Sequence, residues 1–388
     1  MDLAIRLCAT LGALALVIHV VTVAVALWRC RPRTQAVIRG ARPGVAGDGA
    51  TGPGVTLVRP VRGLDRFEAE TLRSSFLLTH RPLEILFCVA DRADPVVPLV
   101  ERLIAAHPHI PARLLVGEER LGDNPKLNNM AKGWRAAQYD WVVFADANVL
   151  LPPDAMPRLL ATMRSDTGLV CSPPVGCAAE GFWSQVECAF LNTYQARWQY
   201  AADTLASGFA QGKVMAWRRA TLDAAGGMAA LGREPAEDAA ATKAVRGIGL
   251  SVRLVDGPFA QPLGRRSFAD VWARQVRWAR LRRATFPLFY APEIITTPWA
   301  PAVLLAPFAH EYGATVGAAA GILTLWYAAE ALLALACRWP LGWSSPLAWL
   351  ARDAALPFVW LSGWRAKSVA WRGNVIASIG PEGRAKAS

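Results

Sequence analysis

The chain has 388 residues, of which 53% are hydrophobic and 19% charged, and its mean hydropathy is +0.24. This composition excludes an intrinsically disordered or fibrous protein, because such chains contain too few apolar residues or repeat a simple pattern. The formal net charge is +12, and 16 residues are tryptophan, a side chain that concentrates at membrane–water boundaries. Together these features predict a globular domain joined to membrane-embedded segments.

The seven cysteines are dispersed and form no C-x-x-C pair. An odd, scattered set indicates reduced thiols in a chain that faces the cytosol rather than a disulfide framework. The five histidines are not spaced as zinc ligands, so the sequence argues against zinc chemistry.

An apolar stretch of 22 residues without formal charge, 7–28, lies near the start of the chain. A helix of this length rises about 1.5 Å per residue and spans the roughly 30 Å hydrocarbon core of a bilayer. The alternative is a signal peptide, whose apolar region is shorter and precedes a small-residue cleavage site. Here five arginines follow between 29 and 42, which places that flank in the cytoplasm. We expect a transmembrane anchor over 1–28 with its N-terminus outside, then a basic linker over 29–54.

Short apolar runs alternate with helical patterns over residues 55–264. The predicted strands are 55–58, 83–90, 113–116, 141–145 and 168–171, and helical spacing occupies 66–79, 95–106 and 126–138. This alternation predicts a parallel α/β sheet with helices on its faces. In such sheets ligands bind beyond the carboxyl ends of the strands, so the residues that follow each strand are informative.

Two aspartates directly follow predicted strands. Asp91 comes after the second strand and Asp146 after the fourth, where Asp146-Ala147-Asn148 is close to an Asp-x-Asp sequence. An acid in such a place is often only a turn former or a helix N-cap. The functional interpretation is a nucleotide-sugar site, in which one carboxylate meets the nucleoside and the other holds Mg²⁺ or Mn²⁺ against a diphosphate. Asn148 can offer a metal only a neutral carbonyl oxygen.

Two more polar groups lie at the start of predicted helices. Asp238 precedes a helix-forming stretch and is either an N-cap with an acidic neighbour or a general base that deprotonates an acceptor hydroxyl. The segment 124–129 is a loop that opens a helix, and its Lys126 is placed to serve a phosphate.

A basic amphipathic pattern occupies 265–290. Arg274 and Arg277 lie three residues apart on one helical face, and Trp278 follows. One interpretation is a membrane-surface helix whose arginines touch lipid phosphates. The other is a pair of guanidiniums that neutralise a departing diphosphate beside an aromatic surface for the acceptor. Both can hold together.

The final region, 291–388, is strongly apolar. Its segment 313–337 has one formal charge and is long enough to span a bilayer, 294–309 is short and proline-rich, and 341–363 carries an Arg-Asp pair near its middle. A basic tail should lie in the cytoplasm, which requires an even number of crossings after the domain, and we expect two.

Several motifs are missing. The chain has no G-x-x-x-x-G-K-[ST], no G-x-G-x-x-G after a strand and no G-x-S-x-G, which argues against P-loop, dinucleotide-binding and serine-hydrolase chemistry. Nucleic-acid binding is disfavoured because many arginines flank apolar segments, which indicates anionic lipid surfaces instead.

Taken in order, these motifs closely resemble the ceramide glucosyltransferase family, whose pattern is three aspartates followed by (Q/R)-x-x-R-W. The matching stretches are CVADRADP with Asp91, FADAN with Asp146, AEDAAATKA with Asp238, and Arg274-x-x-Arg277-Trp278. The stretches VRPVRGLD, NPKLNN, SPPVG and WRGN also look alike. The resemblance covers about residues 55–283, and the anchor and C-terminal spans match in arrangement.

The resemblance implies an α/β fold of the Rossmann-like GT-A type and an inverting glycosyltransferase. It further implies a UDP-sugar donor, Mg²⁺ or Mn²⁺ as cofactor, and transfer of a hexose, glucose first among them, to the primary hydroxyl of ceramide. The product would be a β-hexosylceramide. The same arrangement implies a multi-pass protein of the bacterial inner membrane with a cytoplasmic catalytic domain, surrounded by membrane lipids and without a nucleic-acid partner.

Site roles carry over by the same resemblance. Asp91 would bind the nucleoside, Asp146 the cation and diphosphate, and Asp238 would be the base. The product-side motif would be Arg274, Arg277 and Trp278, and the donor contacts Lys126 and Asn128. Asn148 departs from Asp-x-Asp and would be the second metal ligand.

Two alternatives stay open at the level of sequence. One is a related transferase that glycosylates a hopanoid lipid from UDP-N-acetylglucosamine, with similar motifs and membrane arrangement. The other is a non-catalytic membrane scaffold whose sheet domain has lost its chemistry.

Overall fold

The computed structural model describes residues 2–31, 50–122, 124–365, 368–371 and 374–378. Most of the predicted basic linker, the central Arg-Gly of the WRGN stretch and the basic tail lie outside the described residues.

The elements alternate between strand and helix through the first two thirds of the chain and are helical afterwards. The strands are β1 Ala50–Pro60, β2 His80–Val89, β3 Ala112–Val116, β4 Trp141–Ala145, β5 Thr167–Cys171, β6 Pro174–Glu180, β7 Val214–Arg218, β8 Ser251–Leu254, β9 Phe259–Arg265, β10 Ser368–Trp371 and β11 Asn374–Ser378. The α-helices of the domain are α2 Glu68–Arg73, α3 Val97–Ala106, α4 Pro125–Ala136, α5 Ala155–Thr162, α6 Phe182–Ala189, α7 Arg197–Thr204, α8 Arg219–Ala224, α9 Gly227–Ala230 and α10 Glu237–Gly247. The others are α1 Leu3–Cys30, α11 Phe268–Thr285, α12 Pro287–Tyr290, α13 Trp299–Glu311, α14 Thr315–Ala336 and α15 Ser345–Trp364. A π-helix, Phe190–Ala196, joins α6 to α7, and 3₁₀ turns occupy Ser74–Leu77 and Ala291–Ile295.

The main sheet has seven strands in the order β3-β2-β1-β4-β7-β5-β8. All five strands predicted from the sequence are present, and they run parallel to one another. The sheet also contains a strand that was not predicted, β7, which pairs antiparallel with both β4 and β5. An apolar run such as that of β7 is buried in either direction, so its composition did not reveal its orientation.

The antiparallel strand β7 brings a further residue to the edge of the sheet at which the parallel strands end. Its first residue, Val214, pairs with Ala145, the last residue of β4. The residue before β7 therefore lies beside the residue after β4, and the Asp146 amide donates to the Lys213 carbonyl at 2.9 Å. A lysine that is 67 residues away in sequence is thereby fixed next to the predicted metal ligand.

A second, two-stranded sheet leads the chain from the domain to the basic helix. Its strands β6 and β9 run parallel, and α11 begins two residues after β9, behind a capping box formed by Ser267 and Asp270. That box satisfies two amide donors at the helix start, and so fixes where the basic helix begins.

The first helix packs onto the α/β domain. It extends to Cys30, two residues past the predicted end of the anchor, and Val23, Ala26 and Cys30 join the apolar core on one face of the sheet. Arg29, which the sequence placed in the linker, is a buried helical residue. Its guanidinium contacts Asp256 and donates to the buried Asp203 at 2.9 Å.

Two helices, α1 and α14, are long and apolar enough to cross a membrane. On α1 the exposed large apolar side chains are Leu3, Leu7, Leu11, Leu14, Val17, Ile18, Val20, Val21 and Trp28. Several of them recur three or four residues apart, which gives the helix an apolar face turned away from the protein. These features indicate membrane association. The proline-containing α13 has 13 residues, about 20 Å of helix, which is short for a span.

The charges within the C-terminal helices are paired internally. Arg352 of α15 donates to both oxygens of Glu330 on α14, at 2.9 and 3.0 Å, and to Asp353 and Thr193. Both Arg352 and Glu330 are fully buried. This pairing explains how charged residues can occur in these apolar helices, since an unpaired charge in such surroundings is costly.

Candidate active site

A cavity of about 1400 Å³ opens beyond the carboxyl ends of the strands. Among the predicted site residues, those that line it are Lys126, Asp146, Asn148, Asp238, Arg274, Arg277 and Trp278. The opposite part of the same cavity is lined by side chains of α1 and α14, including His19 and Trp326. One space therefore connects the acidic edge of the sheet to the two helices that are suited to cross a membrane.

Asp146 lies between two lysines at the end of β4. Its two carboxylate oxygens are 2.7 Å from the Lys126 ammonium and 2.9 Å from the Lys213 ammonium. Lys213 also donates to the Asn148 side-chain carbonyl at 3.1 Å. Burial alone would raise the pKa of Asp146, but the two ammonium groups outweigh it and lower that pKa to about 2. Asp146 is therefore an anion at any physiological pH.

Lys126 links the end of β4 to the start of α10. The Asn124 side chain caps α4 by accepting from the amides of Lys126 and Leu127, which positions the lysine in the first helical turn. Its ammonium contacts Glu237 at 2.6 Å and donates to the Gly212 carbonyl at 2.6 Å. Burial opposes the charge, but Asp146 and Glu237 together raise the pKa of Lys126.

Asp238 lies in the first turn of α10 and is not its cap. The N-cap is Ala236, and the helix begins at Glu237, so the N-cap interpretation of Asp238 is wrong. Its two oxygens accept from the Gly212 amide at 3.1 Å and from the Ala239 amide at 2.8 Å. Burial and the adjacent Glu237 raise the pKa of Asp238 to about 6, against the opposing charge of Lys126. This carboxylate is ionised at neutral pH yet more basic than an ordinary aspartate, as a general base requires.

Gly212 marks the point where these charges converge. A Cβ atom at this position would lie 2.8 Å from Glu237 Oε1, 3.2 Å from Lys126 Nζ and 3.3 Å from Asp238 Oδ2. A Cβ atom at this position would therefore require the end of the Glu237 side chain to shift, because real Cβ contacts below 3.0 Å essentially never occur.

The basic helix α11 directs its motif into the cavity. Arg274 forms an ion pair with the fully buried Glu187, and its guanidinium lies 5.8 Å from the centre of the Trp278 ring. Arg277 and Trp278 line the same space. Guanidiniums are suited to phosphate oxygens, and both arginines are only partly buried, so either can contact a phosphate in the cavity.

The structure leaves two predicted donor residues outside the cavity wall. Asp91 lies just past the end of β2, exposed, and accepts from the Ala93 amide at 2.9 Å. Asn128 is buried and makes four hydrogen bonds with the 118–122 loop, two accepted from Leu121 and Gly122 and two donated to Glu118 and Gly122. All its hydrogen-bonding capacity is spent on that loop, so donor contact by Asn128 is not supported. The nucleoside role of Asp91 stays a prediction.

Three residues important to the site were not predicted from the sequence. Lys213 arrives through the antiparallel pairing of β7, Glu237 pairs with Lys126, and Glu187 anchors Arg274 from α6. Only Glu237 carried a local signal, as a second acid beside Asp238. The other two become neighbours of the site through contacts between distant segments.

The donor groups at the end of β4 fit a hard divalent cation. Asp146 Oδ1 is buried and lies 2.7 Å from the Lys126 ammonium, so a cation bound there would have to displace that ammonium. With the Asn148 carbonyl it offers oxygen ligands, and Mg²⁺ or Mn²⁺ typically adds substrate phosphates to one or two carboxylates. No group of three or more His, Cys, Asp or Glu side chains suited to a metal occurs in the described part of the chain, so the substrate would have to complete such a site.

Comparison with known proteins identifies the family. The model of the family described as glycosyl transferase family 21 matches residues 14–385. The chain belongs to glycosyl transferase family 21. It is therefore a glycosyltransferase, and the resemblance found in its motifs is confirmed.

Named relatives agree with the family-21 assignment, and a solved structure shares the fold. The chain is 28% identical over 331 residues to ceramide glucosyltransferase 1 of Caenorhabditis elegans, which covers 83% of this chain and 71% of that protein. It is 40% identical over 108 residues to the ceramide glucosyltransferase of Candida albicans, 25% of this chain and 20% of that protein. The mannosyltransferase PcManGT of Pyrobaculum calidifontis, solved with GDP-Man and Mn²⁺, has a TM-score of 0.50 at 18% identity, over 92% of this chain and 99% of that one. The last match shows a shared fold and confirms the GT-A class.

Proposed function

We propose that this family-21 enzyme transfers glucose from UDP-glucose to the primary hydroxyl of ceramide, with inversion at the anomeric carbon. One observation carries the proposal: a single cavity joins the Asp146–Asp238 cluster to α1 and α14, the two helices suited to cross a membrane. A water-soluble donor and a lipid acceptor can therefore meet in it. The names of the relatives point to the same acceptor.

The donor would lie at the end of β4. Asp146 and Asn148 would hold Mg²⁺ or Mn²⁺, which neutralises diphosphate charge when bound. Burial lowers the pKa of Lys213, and its ammonium, like that of Lys126, lies close to where the phosphates would sit. Asp91, which lies just past the end of β2 on the far side of β1 from β4, would meet the nucleoside.

Proton transfer would fall to Asp238. A primary alcohol has a pKa far above 7, so its proton must be removed as the oxygen attacks the anomeric carbon. The O–C bond to the acceptor forms while the bond to the diphosphate breaks, and the proton passes to the Asp238 carboxylate. Arg274 and Arg277 would stabilise the charge that develops on the leaving UDP. Attack opposite the leaving group needs only one base and converts an α-linked donor into a β-glycoside.

The proposed setting is the inner membrane of a bacterium, with the catalytic domain in the cytoplasm. We propose a division into an anchor ending near residue 30, a catalytic domain over 55–264, the basic helix over 265–290 and a membrane-associated region from 291. Arg29 supports a cytoplasmic location for the end of α1, because it is clamped to the catalytic domain by Asp203 and Asp256.

The test uses the full chain purified in detergent with Mg²⁺ or Mn²⁺. UDP-glucose, UDP-galactose and UDP-N-acetylglucosamine are each offered with ceramide or a hopanoid polyol, and products are identified by mass. We expect a hexosylceramide from UDP-glucose that disappears in Asp238→Asn. The matched control is Asp223→Asn, at an exposed aspartate outside the cavity. A glycosylated hopanoid would mean that the same mechanism acts on another acceptor. If no pair of donor and acceptor gives a product, the proposed function is contradicted.

A further inference from the structure

One ammonium group contacts both side chains that are proposed to hold the divalent cation. Lys213 Nζ lies 2.9 Å from Asp146 Oδ2 and donates to Asn148 Oδ1 at 3.1 Å. The other oxygen of Asp146 lies 2.7 Å from Lys126 Nζ. A metal ion that approaches either oxygen of this carboxylate therefore meets a lysine that is already paired with it.

The contacts of Lys213 lie at the wall of the cavity, where an ion and a nucleotide can reach them. Lys213, Asp146 and Asn148 all line that space, and the side chains of Lys213 and Asp146 are 18% and 19% exposed. The exchange of one cation for another at this place therefore needs no opening of the protein core.

The two lysines differ in how firmly their ammonium groups are held. Lys126 also contacts Glu237 and the Gly212 carbonyl, both at 2.6 Å. Among the described residues, the Lys213 ammonium has its ion pair and hydrogen bonds with the two proposed metal-binding side chains alone. A lysine ammonium is carried on a flexible stem of four carbons, so it can leave these partners while β7 keeps the backbone in place. Of the two lysines, Lys213 is the one whose ammonium is free to exchange.

The charges at this place favour a metal ion that arrives together with a diphosphate. A divalent cation alone would add two positive charges beside Lys126 and Lys213, and like charges at such short range repel each other. The diphosphate of a UDP-sugar carries two negative charges, so a divalent cation bound with it adds no net charge. The diphosphate also offers oxygens to the displaced ammonium, because lysine binds phosphate as a point charge.

We propose that Lys213 is a resident cation for Asp146 and Asn148, and that it makes binding of the divalent metal depend on the sugar nucleotide. Without nucleotide, its ammonium pairs with both side chains and excludes the metal. On binding of the diphosphate with its metal, the ammonium leaves this pair and contacts a phosphate oxygen. The inference rests on the proposed function, which supplies the nucleotide donor, and adds the dependence of metal binding on that donor.

The test measures Mn²⁺ binding to the detergent-purified full chain by electron paramagnetic resonance, with and without UDP. We expect the wild-type protein to bind Mn²⁺ more tightly with UDP than without. Lys213→Met removes the ammonium but keeps a long side chain. It should strengthen Mn²⁺ binding without UDP by roughly 10- to 100-fold, the range of a hydrogen bond to a charged group, and so reduce the effect of UDP. Because such coupling is reciprocal, calorimetry of UDP binding with and without Mn²⁺ should show the same reduction.

Two further variants separate the charge of Lys213 from its place in the fold. Lys213→Arg keeps a positive charge and should keep the dependence of Mn²⁺ binding on UDP. Lys243→Met, at a lysine that pairs with Glu234 and lies outside the cavity wall, is the matched control and should behave as the wild-type protein. Thermal unfolding gives a second readout, because a ligand stabilises the state that binds it. At one Mn²⁺ concentration without UDP, the Tm of Lys213→Met should rise while that of the wild-type protein stays unchanged.

The outcomes separate this inference from the proposed function. Equal Mn²⁺ affinity with and without UDP in the wild-type protein would overturn the inference, whether or not the variants fold, and would leave the glucosyltransferase function in place. An undiminished effect of UDP in Lys213→Met, or its loss in Lys213→Arg, would overturn the role of Lys213. If UDP binds neither with nor without Mn²⁺, the proposed function fails and this inference falls with it.

Discussion

Replacing Glu237 by glutamine should shift the acid limb of the pH–rate profile to lower pH. Asp238 must be ionised to accept a proton, so activity is present above its pKa and is lost as the pH falls through about 6. After burial, the adjacent Glu237 is the largest cause that raises this pKa. The substitution removes that negative charge. It also removes one of the two carboxylates paired with the Lys126 ammonium, which is 2.6 Å from Glu237 and 2.7 Å from Asp146.

The magnitude follows from the same causes. The pKa of Asp238 rises from 3.8 to about 6 in the folded protein, and burial, which the substitution leaves unchanged, is the larger part of the upward effect. We therefore expect the limb to move down by about one pH unit. At pH 5, one unit below the present limb, the fraction of plateau activity retained should rise about fivefold.

The assay is kcat/KM for the lipid acceptor between pH 4.5 and 8.5, at saturating UDP-glucose and metal. Glu234→Gln is the matched control, because Glu234 pairs with Lys243 and lies outside the cavity. Its profile should coincide with that of the wild-type protein. A limb that stays at pH 6 or moves upward in Glu237→Gln would refute the coupling between the two acids and, with it, the assignment of the limb to Asp238.

Further predictions concern turnover, the metal and stability. Asp238→Asn should lower kcat by roughly 10²- to 10⁴-fold with UDP-sugar binding intact by calorimetry, and an equal loss of binding would contradict the base assignment. Gly212→Ala should reduce activity, because its Cβ would lie 2.8 Å from a carboxylate oxygen of Glu237. Full activity would show that the side chains around Gly212 can move apart without loss of function. Chelation with EDTA should weaken nucleotide binding, and re-addition of Mg²⁺ or Mn²⁺ should restore it; unchanged binding would contradict the metal proposal. Arg29→Met leaves the buried Asp203 without its closest partner and should cost about 3–5 kcal/mol, measured as a fall in Tm in detergent; an unchanged Tm would show that the anchor docks without this pair.

Much of the fold was predictable because the signals are local. Strand β4 was predicted with its observed bounds, since a run of five apolar residues rich in valine and aromatic side chains is typical of a buried strand, and Asp146 follows it directly. The basic helix α11 and the apolar helices α14 and α15 were likewise expected, because the composition and periodicity that indicate a helix are contained within that helix. The placement of Asp146 at the carboxyl edge follows from the same alternation of strand and helix.

The charge environment of the site was not predictable in the same way. Lys213 stands beside Asp146 only because β7 runs antiparallel, and Glu187 reaches Arg274 only because α6 packs against α11. Asn128 shows the converse limit of reasoning from sequence. It belongs to a motif that matches the family, yet its side chain makes its hydrogen bonds with the adjoining loop.

The sequence by itself determined the alternating α/β domain, the apolar helices at both ends and the order of the three aspartates and the basic motif. Only the tertiary structure decided which of these groups share a cavity, that α1 is docked through Arg29, and that Lys213 contacts both Asp146 and Asn148. The physical reason is that hydrophobic periodicity acts within one element, whereas an ion pair or a shared cavity depends on the packing of residues far apart in the chain.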